Sequence, residues 1–228
     1  MQQHLIKYYQ IKDYPIKNHA IKHCALIVID MQRDFMDEGG YAAMAGLDVR
    51  ALRKPIPYIQ ELLEFARKNH ILVVHTREGH RTDMSDCPPI KLGRSRQAGA
   101  EIGSKGPLGR LLIRGEYGHD IIDALKPIEG EPIVDKPGYS AFHQTDLVQI
   151  LDAHTIKKLY ICGVTTEVCV HSTLRAAIDL GYECVLVSDA CGSANLDLHD
   201  AAMKMVTVEG DIFGQVCKTQ EAIKQLSS

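Results

Sequence analysis

The chain has 228 residues, 45% apolar and 24% charged, with 26 basic and 29 acidic side chains and a net charge of −3. That length supplies one substantial core, and the balanced composition excludes disordered, collagen-like and membrane-spanning classes. The slight acidity disfavours binding to nucleic acid by phosphate neutralisation, and no apolar run approaches the roughly eighteen residues that span a bilayer, so neither partner is expected.

The first stretch, MQQHLIKYYQIKDYPIKNHA, has no uninterrupted apolar segment and no Arg, and it contains a Pro. It reads as an N-terminal arm over residues 1–20, without secretory or transit character. One domain is expected over 21–228. Apolar runs rich in β-branched residues follow at Cys24–Asp30, Ile71–Thr76, Pro132–Asp135, Leu159–Gly163 and Cys184–Asp189. Continuous apolar strands of this kind are buried on both faces, as in a parallel sheet. Helical spacing lies between them. Ile56, Ile59, Leu62, Leu63 and Ala66 share one face of a predicted helix over Val49–Lys68. Val168, Leu174, Ala177 and Ile178 do so over Glu167–Leu180, with Gly181 as its stop. Ala201–Val208 and Glu221–Leu226 read as further helices. The alternation predicts an α/β fold, a doubly wound and mostly parallel sheet with helices on both faces. The stretch Gly79–Gly118, rich in Gly, Pro and charge, breaks that alternation and reads as a functional loop or lid.

In such sheets the ligand crevice lies beyond the carboxyl ends of the strands. The sequence places Asp30 after the first strand, Arg77-Glu78-Gly79-His80 after the second, Lys136 at the end of the third, and Thr165 to Cys169 after the fourth. An acid, a lysine and a cysteine thus reach one rim. Cys169 falls in the first turn of a helix, where free N–H groups and the macrodipole favour a thiolate and a nearby lysine lowers the thiol pKa further. Together the three make an activated nucleophile. Singly, each has an ordinary explanation: Cys169 as a small core residue, Asp30 as a loop cap, Lys136 as a solvated lysine. The other six cysteines read as packing residues. With no C-x-x-C spacing they suggest neither a zinc ribbon nor a disulfide framework, and a reduced, cytoplasmic compartment is the default.

The ordered segments LIVIDMQRDF, VHTREGH, DKPGYSAF and GVTTEVCV resemble the isochorismatase-like cysteine hydrolases over about Cys24 to Phe213. The resemblance implies Asp30 as general base, Lys136 as the cation beside the thiolate and Cys169 as nucleophile. It also implies a cis peptide at Val164–Thr165, with the Thr165 and Cys169 N–H groups forming an oxyanion hole. The strings HTREGHRTDMSDCPP, RSRQAGAEIG, GPLGRLLIRGE and KMVTVEGDIFG are similar to biuret hydrolases and related ureide-cleaving enzymes. These act without a cofactor on terminal C–N bonds of small ureides and release ammonia. The expected substrate contacts are Phe35 and Phe142 as apolar walls, Gln32, Glu78 and Arg81 as polar contacts, and Glu209 at the pocket wall. Core packing for the two Phe, bracing of the Asp30 loop for Gln32 and surface pairing for Glu78 and Arg81 are the alternatives. Glu209 stands where the biuret branch has Gln, and Tyr139 where it has Lys. Both changes bear on substrate preference.

Nicotinamidases carry a metal on an Asp and His residues near the second strand. Here Glu78 and His80 align with the first two of these ligands, but Asp83 and Asp86 follow and no further His occurs before His119. No metal and no cofactor is therefore expected. Rival functions are a nicotinamidase-type hydrolase of another small amide and a catalytically silent binding relative. The resemblance also implies a homo-oligomer, commonly a tetramer, with the N-terminal arm at an interface.

Overall fold

The computed structural model describes residues 23–227, so the arm expected over 1–20 lies outside the described residues. The first strand, Cys24–Ile29 (β1), is buried along its whole length. Leu26 and Val28 face one core and Ala25, Ile27 and Ile29 face another. A strand with no wet face needs a helical layer on each side. Three single turns of helix follow at Arg33–Met36 (α1), Tyr41–Met44 (α2) and Val49–Leu52 (α3), and then a longer helix, Ile56–Lys68 (α4). The continuous helix expected over Val49–Lys68 is thus split. Pro55 has no amide to donate and disfavours helical backbone at the residue before it, so the chain restarts there. Within α4 the expected face is buried at Ile59, Leu62, Leu63 and Ala66.

The remaining elements are β2 (Leu72–Glu78), α5 (Pro89–Gln97), a hairpin of β3 (Lys105–Gly106) and β4 (Gly109–Arg110), β5 (Ile133–Lys136) and α6 (Leu147–Ala153). After these come β6 (Lys158–Val164), a π-type turn at Thr166–Val170 and α7 (His171–Asp179). The chain closes with β7 (Glu183–Gly192), α8 (Leu196–Val206), β8 (Gln215–Cys217) and α9 (Thr219–Leu226). Six strands form one sheet in the order β5-β2-β1-β6-β7-β8, every pair parallel. Helices α4 and α9 cover the Leu26/Val28 face, and α6 and α7 cover the Ile27/Ile29 face. The expected doubly wound α/β fold is what the chain adopts. Strand order reverses direction around β1 and β6, and the crevice at their carboxyl ends is where ligands bind in this architecture.

Two details fix that crevice. Gly163 sits at φ +114°, and a Cβ there would lie 2.1 Å from the carbonyl oxygen of Ile29. Only glycine lets β6 approach the end of β1 so closely. The π-type turn changes the helical phase ahead of α7, with the Val170 N–H bonded back to the Thr165 carbonyl at 3.2 Å. Val168, expected on the buried face, is consequently exposed, while Cys169 and Val170 are buried.

The stretch Gly79–Gly118 is not the irregular lid expected. It carries α5 and the hairpin, and Leu111, Leu112 and Ile113 are fully buried. Asp34 pins it, accepting from the Leu112 N–H at 2.9 Å and the Tyr41 N–H at 3.3 Å. Among the described residues no helix is long and apolar enough to cross a membrane, and the cysteines form no disulfide.

Burial raises the Asp34 carboxyl to about 6, against the two amide hydrogen bonds that lower it. A carboxyl raised on folding contributes most below its unfolded value near 4, and that contribution is lost as pH climbs through 6. Relative to the parent, Asp34→Asn should therefore gain stability as pH climbs from 4 to 6.5, as read from the difference in melting temperature against pH. A difference that stays constant over that range would remove Asp34 as the titrating group.

Candidate active site

Asp30 follows β1 at φ +49°, a left-handed conformation that Asp tolerates better than most residues. Its N–H reaches the Thr76 carbonyl at 3.2 Å, and the Thr76 hydroxyl donates to Asp30 Oδ1 at 2.6 Å. On the neighbouring strands Glu78 and Lys136 are register partners, so their side chains rise on the same face. Lys136 Nζ lies 2.8 Å from Asp30 Oδ2 and 3.7 Å from Glu78 Oε2, and it donates to the Gly138 carbonyl at 3.0 Å. Cys169, delivered by the π-type turn beyond β6, donates its thiol proton to Glu78 Oε2 at 3.1 Å. One oxygen each of Asp30 and Glu78 and the Cys169 sulfur all lie within 4.8 Å of one another. Asp30 and Lys136 are fully buried, and Glu78 and Cys169 are each 4% exposed.

The electrostatics follow from that crowding. Burial pushes the Glu78 carboxyl up, but Lys136 and Lys91 outweigh it and hold it at about 2. Burial also raises Asp30, with the Glu78 charge adding to it and Lys136 opposing, and here the net direction is upward. Of the two carboxylates Asp30 is the more basic. Burial works against the Lys136 charge, yet Asp30, Cys169 and Glu78 lift it above the ordinary lysine range. The Cys169 thiol moves opposite to expectation. Burial drives it well above its ordinary value, Lys136 opposes, and the two carboxylates add to the rise. The helix terminus and the lysine favour a thiolate, but burial and the charges of Glu78 and Asp30 outweigh them. At rest the group is a thiol bonded to a carboxylate.

The other expected contacts separate into two groups. Gln32 braces the site: its Oε1 accepts the Glu78 N–H at 2.7 Å, and its Nε2 donates to the carbonyls of Glu78 and His119, each at 2.9 Å. Those bonds occupy its amide, so it is not turned to a substrate. Phe35 is buried in the core, edge-on to Tyr41 at 6.0 Å. Phe142 stacks on Tyr182 at 5.9 Å, where the chain enters β7 at the opposite end of the sheet from the sulfur. It packs the core and is no pocket wall. Arg81 is exposed, with its backbone N–H bonded to Asp86. Glu209 is exposed in a kink at φ +52°, where the chain runs into β8 at the opposite end of the sheet from the sulfur, so it does not reach the pocket wall expected of it. The Val164–Thr165 peptide is cis. Glu78, read from the sequence as a polar substrate contact or a surface pair, is buried at the centre of the cluster.

Two residues at the site escaped the sequence reading. Lys91 of α5 places Nζ 2.6 Å from Glu78 Oε1 and 2.6 Å from the Pro137 carbonyl. Tyr41 of α2 comes close enough that the charges of Glu78 and Cys169 act on its hydroxyl, which burial chiefly raises to about 12. Neither position carries a signal in the sequence, because each reaches the site only through tertiary packing. The three donors Asp30, Glu78 and Cys169 do not suit a metal ion, since two ammonium groups already stand against their carboxylates. Of the positions matched to nicotinamidase ligands, His80 Nδ1 lies 3.2 Å from Asp86, and Asp86 pairs with Arg114 at 3.2 Å.

Gln32→Leu keeps the volume but leaves a buried N–H and two carbonyls without partners. We expect it to lower stability by about 2–4 kcal/mol in chemical denaturation; a loss below ~0.5 kcal/mol would show that Gln32 is no brace.

Comparison with known proteins sets this geometry in context. The isochorismatase domain model matches residues 24–221. The ureidoacrylate amidohydrolase RutB of Acinetobacter baylyi is 32% identical over 203 residues, covering 87% of this chain and 82% of that protein. Among solved structures, a cysteine hydrolase from Pseudomonas syringae pv. phaseolicola superposes with a TM-score of 0.77 at 27% identity, over 94% of this chain and 95% of the other. A pyrazinamidase of Pyrococcus horikoshii in complex with zinc gives a TM-score of 0.68 at 28% identity, over 86% and 99%. A domain match across most of the chain and a relative above 30% identity place this protein in the isochorismatase family.

Proposed function

We propose that the protein is a cysteine-dependent amidohydrolase that cleaves the terminal C–N bond of a small ureide and releases ammonia. The observation that carries the reading is the buried cluster of Asp30, Lys136, Glu78 and Cys169 at the carboxyl ends of β1, β5, β2 and β6. The amidohydrolase name of the sequence relatives supports the reaction class. In the proposed cycle the substrate displaces Glu78 from the sulfur, and Asp30, the more basic carboxylate, takes the thiol proton. The thiolate attacks the terminal carbonyl carbon, and the N–H groups of Thr165 and Cys169 hold the oxyanion. The tetrahedral adduct collapses with cleavage of the C–N bond, and Asp30 returns its proton to the leaving nitrogen, which departs as ammonia. Asp30 then deprotonates a water that attacks the resulting thioester-type intermediate. The C–S bond breaks, the sulfur regains its proton, and a carbamate or carboxylate leaves. Lys136 keeps Asp30 ionised between steps and offsets the charge on sulfur. Of the residues expected to bind substrate, Glu78 is retained as an acceptor for ureido N–H groups, and Arg81 as an exposed contact at the rim.

A nicotinamidase-type hydrolase remains the rival activity, favoured by the fold similarity to the pyrazinamidase. Ammonia release from biuret, ureidoacrylate, N-carbamoyl amino acids and nicotinamide separates the two. Cys169→Ala and Cys169→Ser are each expected to lose at least ~10³-fold in kcat/KM with unchanged melting curves; near-parent release from any ureide by either would remove the nucleophile assignment. Activity is expected to survive exhaustive chelation, and a loss restored by zinc, iron or manganese would reverse the conclusion about metal. A homo-oligomer is also proposed, supported by the exposed apolar residues Leu196, Leu198, Met205 and Ile212 on and beyond α8. Light scattering on the eluting protein checks it, and a monomer at micromolar concentration would refute it.

A further inference from the structure

Lys91 has no role in the cycle above, yet it is the most deeply placed residue of the Gly79–Gly118 stretch with a charge. It is 7% exposed, and on α5 only it and Ser95 are buried. Its ammonium bridges two segments of the site, contacting Glu78 Oε1 and the Pro137 carbonyl at 2.6 Å each, and it lies 5.0 Å from the centre of the Tyr139 ring.

The charges around the sulfur can be counted element by element. Asp30 comes from the end of β1, Glu78 from β2, Lys136 from β5 and Lys91 from α5. Tyr41 of α2 also faces Glu78 and Cys169, while His80 and Cys87 face Lys91. Burial raises Tyr41 and Cys87 and lowers His80, so all three stay neutral at pH 7. Two carboxylates therefore meet two ammonium groups, and the cluster balances. Without Lys91, Lys136 alone would serve Asp30 at 2.8 Å and Glu78 at 3.7 Å. With a thiolate formed, one positive charge would then face two negatives if the thiol proton passed to Asp30, or three if the proton left to solvent, in a dry site where such an imbalance is weakly screened.

We propose that Lys91 is a positioning residue for the cysteine chemistry: it clamps and neutralises Glu78, which leaves the Lys136 charge to Asp30 and the sulfur and so permits the thiolate to form. The inference rests on the reading of Cys169 as nucleophile. It makes the long stretch between β2 and β5 an electrostatic part of the site, acting through Glu78 without touching the reacting atoms.

The test is the rate of Cys169 alkylation by iodoacetamide between pH 7 and pH 10.5, resolved from the other cysteines by peptide mass spectrometry, on the full chain. Lys91→Met should slow Cys169 alkylation at pH 9 by ~10-fold or more, the effect of one unit in thiol pKa. Lys91→Arg should stay within about twofold of the parent because the charge is kept. Glu78→Gln/Lys91→Met, which removes one charge of each sign, should recover to within about threefold. A Lys91→Met rate equal to or above the parent, as simple loosening would give, overturns the proposal, as does a double variant as slow as the single one. If Lys91→Met fails to fold, Glu78→Gln decides. A surplus positive charge should speed alkylation by ~10-fold, and an unchanged rate refutes the charge argument. Alkylation needs no substrate, so failure of the ureide reading would appear separately, as parent enzyme that releases no ammonia from the panel.

Discussion

An ionised carboxylate moved from water into a protein interior costs several kcal/mol unless a partner and hydrogen bonds replace its hydration. This fold buries two, Asp30 and Glu78, within reach of the same sulfur. Two ammonium groups stabilise them, Lys136 standing between the pair and Lys91 on the other oxygen of Glu78. The position of Lys136 constrains much else. It requires β5 to pair with β2 in the register that sets Lys136 beside Glu78, and β1 to stop where Asp30 can turn inward. The resting sulfur is a thiol, because burial disfavours the thiolate and the charges of the two nearby carboxylates add to that effect. The chemistry proposed here follows from relaxing that arrangement, with the thiol proton moved to the more basic of the two acids.

Much of this was legible from the chain. Five apolar segments became five strands, and Asp30, Lys136 and Cys169, which lie at distant positions in sequence, meet at one sheet edge. Strand ends are readable because a parallel sheet brings every carboxyl end to one rim. Other features were hidden for identifiable reasons. β8 has three residues and carries too little pattern to stand out. The first turn of α8 begins with Leu196 and Leu198, both exposed, so the apolar period begins late even though Asn195 caps the helix by accepting from the Leu198 N–H. Glu78 looked like a surface acid because its neighbours Arg77 and Arg81 are charged. Its burial depends on Lys91, which arrives from another segment.

The stretch between β2 and β5 shows how a loop-like composition can encode a packed element. Its Gly, Pro and charged residues suggest an open lid, yet Leu111, Leu112 and Ile113 enter the core and Asp34 grips its backbone from α1. A Cβ on Gly118 would lie 2.6 Å from Asp34 Oδ1, so a glycine there makes room for the carboxylate. The stretch is held at two points by carboxylates, at Leu112 by Asp34 and at Lys91 by Glu78. Its position relative to the sulfur is thereby set by charge and hydrogen bonding as well as by apolar packing.

The bonds of Gln32 have a consequence for the sheet itself. β1 ends at Ile29, whereas β2 continues to Glu78, whose backbone would otherwise project past its neighbour with one flank bare. The Gln32 carboxamide bonds to both the N–H and the C=O of Glu78, acting as a surrogate peptide group and adding one rung to the ladder after the main chain of β1 has turned away. A single side chain thus lengthens the sheet on this flank and lets a strand tip, a position that ordinarily frays, hold a carboxylate rigidly against the sulfur.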